Sequence, residues 1–272
     1  MTGIYLYCIR PYLTAKSYKL KAGLKGIDGA KVFLVSHLGI EAVVSNIDIK
    51  KFASKEIERL AKEDVNWIIK HSAEHEKVVE QAMGLINHKS EILNLQSVVP
   101  MKFGAIFNDK KNLEQVLKKS YQKFKNILKN LDGKEEWGVK VYVDEKRLRD
   151  ELKNKNNAIK VKIEGAKELP KGADYFQELE TEDMIKKTMW QEIDKQSESF
   201  FKKFKQVVCE TQENKILAKE ITGKNDPMVL NSAYLIRKKS VKDFLKKVKE
   251  TEDCNPAFIF ECTGPWPPYN FI

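Results

Sequence analysis

The segment from Trp137 to Thr263 is the most constraining part of this chain. Trp137, Val139, Val141 and Val143 alternate with Gly138, Lys140 and Tyr142, a period of two that an extended strand with one apolar face satisfies. From Ala173 to about Val207 there is no Pro or Gly. Ile185, Met189, Ile193, Phe200, Phe204 and Val208 stand there at spacings that predict a long helix. "NKILAKEITGKNDPMVLNSAYLIRK" predicts two strands joined across Gly223 to Pro227. "SVKDFLKKVKE" predicts a helix from Ser240 with Val241, Phe244, Leu245 and Val248 inward, and "AFIFECT" a closing strand. Strand, helix, strand, strand, helix, strand is the order of a split β-α-β, ferredoxin-like domain, a four-stranded antiparallel sheet with two helices on one face. Between Asp144 and Gly172 the chain is charged and rich in Lys and Asn, and is expected to hold a short helix, a strand fragment and an exposed excursion.

The first half has related ingredients with an extra helix. "GIYLYCI" predicts a strand, and "KVFLVSHLGIEAVVSNI" two more around a turn at Leu38-Gly39. From Ser54, a good N-cap, one long amphipathic helix is expected with Ile57, Ala61, Ile68, His75 and Val79 on one face, closed by Gly84. "SVVPMKFGAIF" predicts an interrupted strand, demoted to an edge or bulge by Pro100 and Gly104. A second helix carries Leu113, Val116, Leu117, Tyr121, Phe124 and Leu128 and stops near Asp132-Gly133. The expected organisation is therefore α+β with two domains. Residues 1–133 form a modified ferredoxin-like domain, and 134–272 a ferredoxin-like domain with an aromatic, proline-rich tail. A chain of 272 residues exceeds the size at which one core usually stays undivided.

Composition excludes some classes. With 42% hydrophobic and 32% charged residues the chain is a folded domain protein, not a disordered one. The opening "MTGIYLYCIRPYLTAK" has neither a basic leader nor an apolar segment long enough for a signal peptide, and no later run approaches a membrane span, so the cytoplasm is the expected location. Cys8, Cys209, Cys254 and Cys262 stand alone, without a C-x-x-C pair, and are expected as reduced thiols. The net charge of +10 raises a nucleic-acid reading. Against it, the only arginines are Arg10, Arg59, Arg147, Arg149 and Arg237, and lysine lacks the planar fork that recognises phosphate and guanine.

Individual motifs point away from catalysis. His71 and His75 are one helical turn apart, a spacing that can place two imidazoles on one metal. The metalloprotease signature needs Glu after the first His, however, and Ser72 is there. His75 shares the apolar face with Ile68 and Val79 and is expected as a hydrogen-bonded core histidine, so no metal site is assigned. "KFGAIF" lacks the basic-glycine step of the RNA-stacking signature and is expected as a turn in which Gly104 permits a bend between two inward phenylalanines. Gly23, Gly26 and Gly29 do not form a phosphate-cradling loop. Neither a nucleophile triad nor a carboxylate pair stands out, so no catalytic or cofactor-binding residue is nominated.

The strongest local signal is the end, "TGPWPPYNFI". Pro265, Pro267 and Pro268 are expected to stop the sheet and to favour polyproline II, which would put Trp266 and Tyr269 on one side. Rings of this size bury ~150–250 Å² each. The preferred groove for them is one in this same chain, with a partner-supplied groove second.

Taken together, "GIYLYCI", "PMKFGAIF", "EWGVKVYV" and "TGPWPPYNF", in this order, resemble the gas vesicle protein GvpF/GvpL family over essentially the whole chain. Lys102 and Ala105 stand where the family commonly shows Arg and Thr. The resemblance implies two α/β domains of ferredoxin-like type. It also implies a non-enzymatic accessory or minor structural protein that contacts the small hydrophobic shell protein during gas vesicle assembly. The expected partners are that major shell protein and other gas vesicle accessory proteins, with no cofactor, nucleic acid or membrane, in the cytoplasm and the gas vesicle. Candidate structural or partner-binding positions are Lys102, Phe103, Gly104, Trp137, Gly264, Pro265, Trp266, Pro267, Pro268, Tyr269 and Phe271. The alternative is a ferredoxin-like RNA-binding module using the lysine-rich surface.

Overall fold

The computed structural model describes residues 1–12, 20, 22–85, 96–166 and 173–272. The chain divides into two compact units, one of residues 1–136 together with 265–272, the other of residues 137–264.

The first unit is built on β1 (Thr2–Pro11), which is buried along nearly its whole length. An unbroken apolar strand needs cover on both faces, and it has it. β2 (Val32–His37) and β3 (Ile40–Asp48) form a hairpin around Leu38-Gly39, and β3 pairs antiparallel with β1. On one face Tyr5, Tyr7 and Cys8 pack with Val78, Val79, Ala82 and Met83. On the other, Ile4, Leu6 and Ile9 pack with Leu113, Leu117, Phe124 and Leu128. A bulge between Leu6 and Cys8 lets Tyr7 and Cys8 fall on the same side. Two helical layers thus sandwich this sheet, rather than the single one expected, because the extra helical segment supplies the second.

The long helix expected from Ser54 is two helices, α1 (Ser54–Glu63) and α2 (Val65–Met83). Asp64 leaves the helical region (φ −140°, ψ 80°) and its carboxylate accepts the Trp67 N–H at 3.0 Å. A residue that bonds its own backbone this way competes with helix continuation. Gly84 ends α2 in the left-handed conformation, as expected. The interrupted strand is a pair of short pieces, β4 (Val99–Pro100) and β5 (Ile106–Phe107), both paired with β1. The next helix also divides, at Ser120, into α3 (Lys110–Lys119) and α4 (Tyr121–Leu131).

In the second unit, β6 (Lys134–Val143) buries Val139, Val141 and Val143 in one core with Met189, Ile193, Phe200, Phe204, Phe244 and Val248. Residues 145–166 are helical, α5 (Glu145–Lys155) and α6 (Asn157–Ala166), so the strand fragment expected there is absent among the described residues. The expected "LPKG" excursion lies outside them. α7 (Ala173–Lys205) is the predicted long helix. β7 (Glu210–Glu213) lies upstream of the expected strand, and part of "ILAKEIT" forms the one-turn α8 (Lys219–Thr222), ended by left-handed Gly223. β8 (Met228–Arg237), α9 (Val241–Cys254) and β9 (Phe258–Trp266) complete the unit's elements. The strand order is β7-β8-β6-β9, and that of the first sheet is β2-β3-β1-β4. Ranked by position in the chain, both sheets are second, third, first, fourth. The repeat is one of topology, without a matching repeat of sequence.

Candidate functional site

β9 runs through Pro265 to Trp266, beyond the point where the prolines were expected to stop it. The chain then tightens into a 3-10 turn at Tyr269–Phe271, with the Tyr269 N–H donating to the Pro267 carbonyl at 2.8 Å. This replaces the expected polyproline II helix, and with it the shared face for Trp266 and Tyr269. Trp266 is 39% exposed, whereas Pro267 and Pro268 are buried and Tyr269 points its hydroxyl into the first unit.

That hydroxyl joins a chain of buried and half-buried polar groups. Tyr269 donates to Glu76 Oε2 at 2.8 Å, so its oxygen can only accept from His75 Nε2, 3.2 Å away. The imidazole proton is therefore on Nε2, and Nδ1 accepts from the Tyr5 hydroxyl at 2.9 Å. The Tyr5 oxygen in turn accepts the Gly104 N–H at 3.0 Å. Each link has one donor and one acceptor, from a turn amide to a carboxylate. Burial holds His75 down at about 4, with the Met101 carbonyl opposing in part, so the ring is neutral at physiological pH as the bonding requires. Burial also raises the Tyr5 and Tyr269 phenols, and the Cys8 thiol is pushed up to about 12 by its complete burial.

A second anchor holds the next residue. The Asn270 backbone N–H and side-chain Nδ2 donate to the two oxygens of Glu136, at 3.1 and 2.6 Å. Burial raises Glu136 to about 7, against the pull of these two bonds and with the help of nearby Glu76.

The predicted positions distribute as follows. Lys102 is exposed and heads a turn whose carbonyl accepts the Ala105 N–H at 3.3 Å. Gly104 takes φ +89° in that turn, which an L side chain reaches only with strain, and a Cβ there would lie 3.1 Å from Ile57. Phe103 packs beside Tyr5 and His75, at centroid distances of 6.3 and 6.2 Å. Phe103 and Phe107 serve cores on opposite faces of the sheet. Phe103, Gly104 and Tyr269 thus meet around Tyr5 and His75. Trp137 packs on the core of the second unit. Gly264, Pro265 and Phe271 are partly buried along the tail.

Tyr5, Glu76, Glu136 and Asn270 were not foreseen. Only His75, on the apolar face of its helix, carried a signal. His71 and His75 do not converge: His71 faces Asp28 at 3.1 Å, while His75 serves the tyrosines. What this arrangement can do chemically is hold the Tyr269–Asn270 segment in place.

The model for gas vesicle synthesis protein GvpL/GvpF matches residues 3–272. Gas vesicle protein L of a Streptomyces strain is 23% identical over 268 residues, covering 98% of this chain and 91% of that protein. Gas vesicle protein F1 of Halobacterium salinarum is 24% identical over 256 residues, covering 93% and 87%. Among solved structures, gas vesicle protein GvpF from Anabaena superposes with a TM-score of 0.71 at 19% identity, covering 100% of this chain and 98% of that one. The GvpF structure from Microcystis aeruginosa gives 0.64 at 19% identity, covering 99% and 98%. Among the described residues no helix is long and apolar enough to cross a membrane. A match to the family model along nearly the entire length, with relatives of the same family on both sequence and fold, means that the chain belongs to the GvpL/GvpF family of gas vesicle synthesis proteins and has a gas vesicle-related role.

Proposed function

We propose that this protein is a non-enzymatic gas vesicle accessory or minor structural protein that binds the hydrophobic major shell protein and assists vesicle assembly. It acts in the cytoplasm and at the gas vesicle, contacts other accessory proteins, and works by surface complementarity without a cofactor. Family membership over residues 3–272 carries the reading. Two physical features support it. A shell subunit with one wetted and one apolar side needs a soluble carrier until it is incorporated, and an extended apolar patch is the usual mark of such a contact. Large apolar side chains are exposed on this chain, among them Tyr175, Phe176, Leu179 and Trp190 of α7, with Trp266 at the end of β9. The strand orders of the two sheets support a ferredoxin-like plan in each half.

The test is capture of the shell subunit by the purified protein, with and without Trp266→Ala. Retention by the unmutated protein and weaker retention by the variant are expected. If the unmutated protein retains no vesicle component, the reading fails.

A further inference from the structure

His71 stands apart from the tail lock, and its hydrogen bonding is unusual. It is 3% exposed, and Nδ1 lies 2.7 Å from the Trp67 carbonyl. A carbonyl only accepts, so Nδ1 carries a proton there. In the neutral ring Nε2 is then a bare lone pair, and it faces Asp28 Oδ1, another acceptor, at 3.1 Å. A third acceptor converges on the same point: ligand atoms of Asp28, His71 and Glu74 all lie within 4.8 Å of one another. A proton on Nε2 would pair His71 with Asp28 alone, whereas a metal ion at this point would engage all three side chains.

The surroundings are those of a metal ligand set. The Nδ1–H to backbone carbonyl bond is the outer-sphere contact that fixes the tautomer and aim of a metal-binding imidazole. Asp28 sits in the one-turn helix Ile27–Gly29 at φ +53°, held there by its own N–H, which donates to Glu74 Oε2 at 3.1 Å. That bond also ties Glu74, one turn along α2 from His71, to the same corner. The preceding turn is fixed in place because the Ile27 N–H donates to the Tyr7 hydroxyl at 2.9 Å, and Gly26 is the residue that allows this ring so close. Ligands of a transition metal at about 2.0–2.2 Å stand roughly 3.4 Å apart. Asp28 is exposed, which leaves solvent access for further ligands. One nitrogen and two carboxylate oxygens suit a borderline divalent ion such as Zn²⁺ or Co²⁺ better than calcium.

We propose that Asp28, His71 and Glu74 bind one divalent transition-metal ion, which staples the 26–29 turn to α2. This site is independent of the function proposed above. The opposing charges are Lys51, whose Nζ lies 3.6 Å from Asp28 Oδ2, and Lys70, which also acts on the Asp28 carboxylate.

The experiment is a Co²⁺ titration of the chelator-treated full chain, followed by absorption and calorimetry. One equivalent per chain is expected, with nitrogen and oxygen ligation and no thiolate charge-transfer band. Asp28→Asn keeps a residue that tolerates the left-handed backbone and should weaken binding at least ~10-fold, as should His71→Gln. Lys51→Gln should tighten it several-fold. Melting of the chelated variants establishes that they are folded. The proposal is overturned if the unmutated chain takes up no Co²⁺, if a thiolate band appears, or if folded Asp28→Asn binds as tightly as the parent.

Discussion

His75 and Glu136 are two buried titratable groups near the tail, and their protonation preferences oppose each other. His75 is lowered from 6.5 to about 4 by burial, so the unfolded chain binds more protons than the folded one between those values. Its contribution to stability is present above pH 6.5 and is lost as pH falls to 4. Glu136 is raised from 4.5 to about 7 by burial. The folded chain then binds more protons, and this contribution, present below pH 4.5, is lost as pH rises to 7. Each amounts to about 3 kcal/mol over its window, so between pH 4.5 and 6.5 the two slopes nearly cancel. Glu136→Gln removes one of them. Urea denaturation across pH 4.5 to 7.5 should then give a curve for the variant that falls with acid more steeply than the parent's, by up to about 1.4 kcal/mol per pH unit. Parallel curves would mean that Glu136 does not titrate in this range.

At the scale of elements, the central pairing of β1 with β3 contains a charge that the apolar pattern hides. Arg10 and Glu41 are directly opposite in the ladder, the guanidinium Nε and Nη2 reaching Glu41 Oε2 at 3.2 and 3.1 Å. Arg10 is 1% exposed and its Nη1 has no hydrogen-bond partner among the described residues. Removing one member of a buried pair strands the other, so Glu41→Ala should cost about 3–5 kcal/mol. The double replacement Arg10→Met with Glu41→Leu should cost far less than the single one, because no uncompensated charge is left. Chemical denaturation of the parent and the two variants measures this, and equal losses from single and double replacement would contradict it. Helix breaks belong to the same scale. Asp64 and Ser120 divide what periodicity joins, since a hydrophobic period continues across a cap that uses one residue.

For the molecule as a whole, the last eight residues fold with the first 136, although 128 residues of the second unit intervene in the chain (264 − 137 + 1). Deleting residues 267–272 should therefore loosen the unit far away in sequence. Amide hydrogen exchange is expected to speed up in β1 and α2 on the order of 100-fold, the equivalent of ~3 kcal/mol, because the deletion removes buried Pro267 and Pro268 together with half-buried Tyr269. Protection in β8 and α9, which lie in the second unit, should hold. Loss confined to the neighbourhood of β9 would show that the terminus does not support the N-terminal sheet.

Periodicity by itself determined β1, the β2–β3 hairpin, β6, α7, α9 and β9, because side-chain spacing reports which faces are buried, and burial is a local property of each element. It also marked His75 as an inward residue and the closing aromatics as a segment that has to be seated. The second helical layer on β1, the displacement of β7, the 3-10 turn that replaced polyproline II and the convergence of Tyr5, His75, Glu76 and Tyr269 were decided only in three dimensions. A hydrogen bond between residues 193 or 194 positions apart leaves no period in the chain. It exists because burial strips water from polar groups, and those groups must then find one another wherever the fold has brought them.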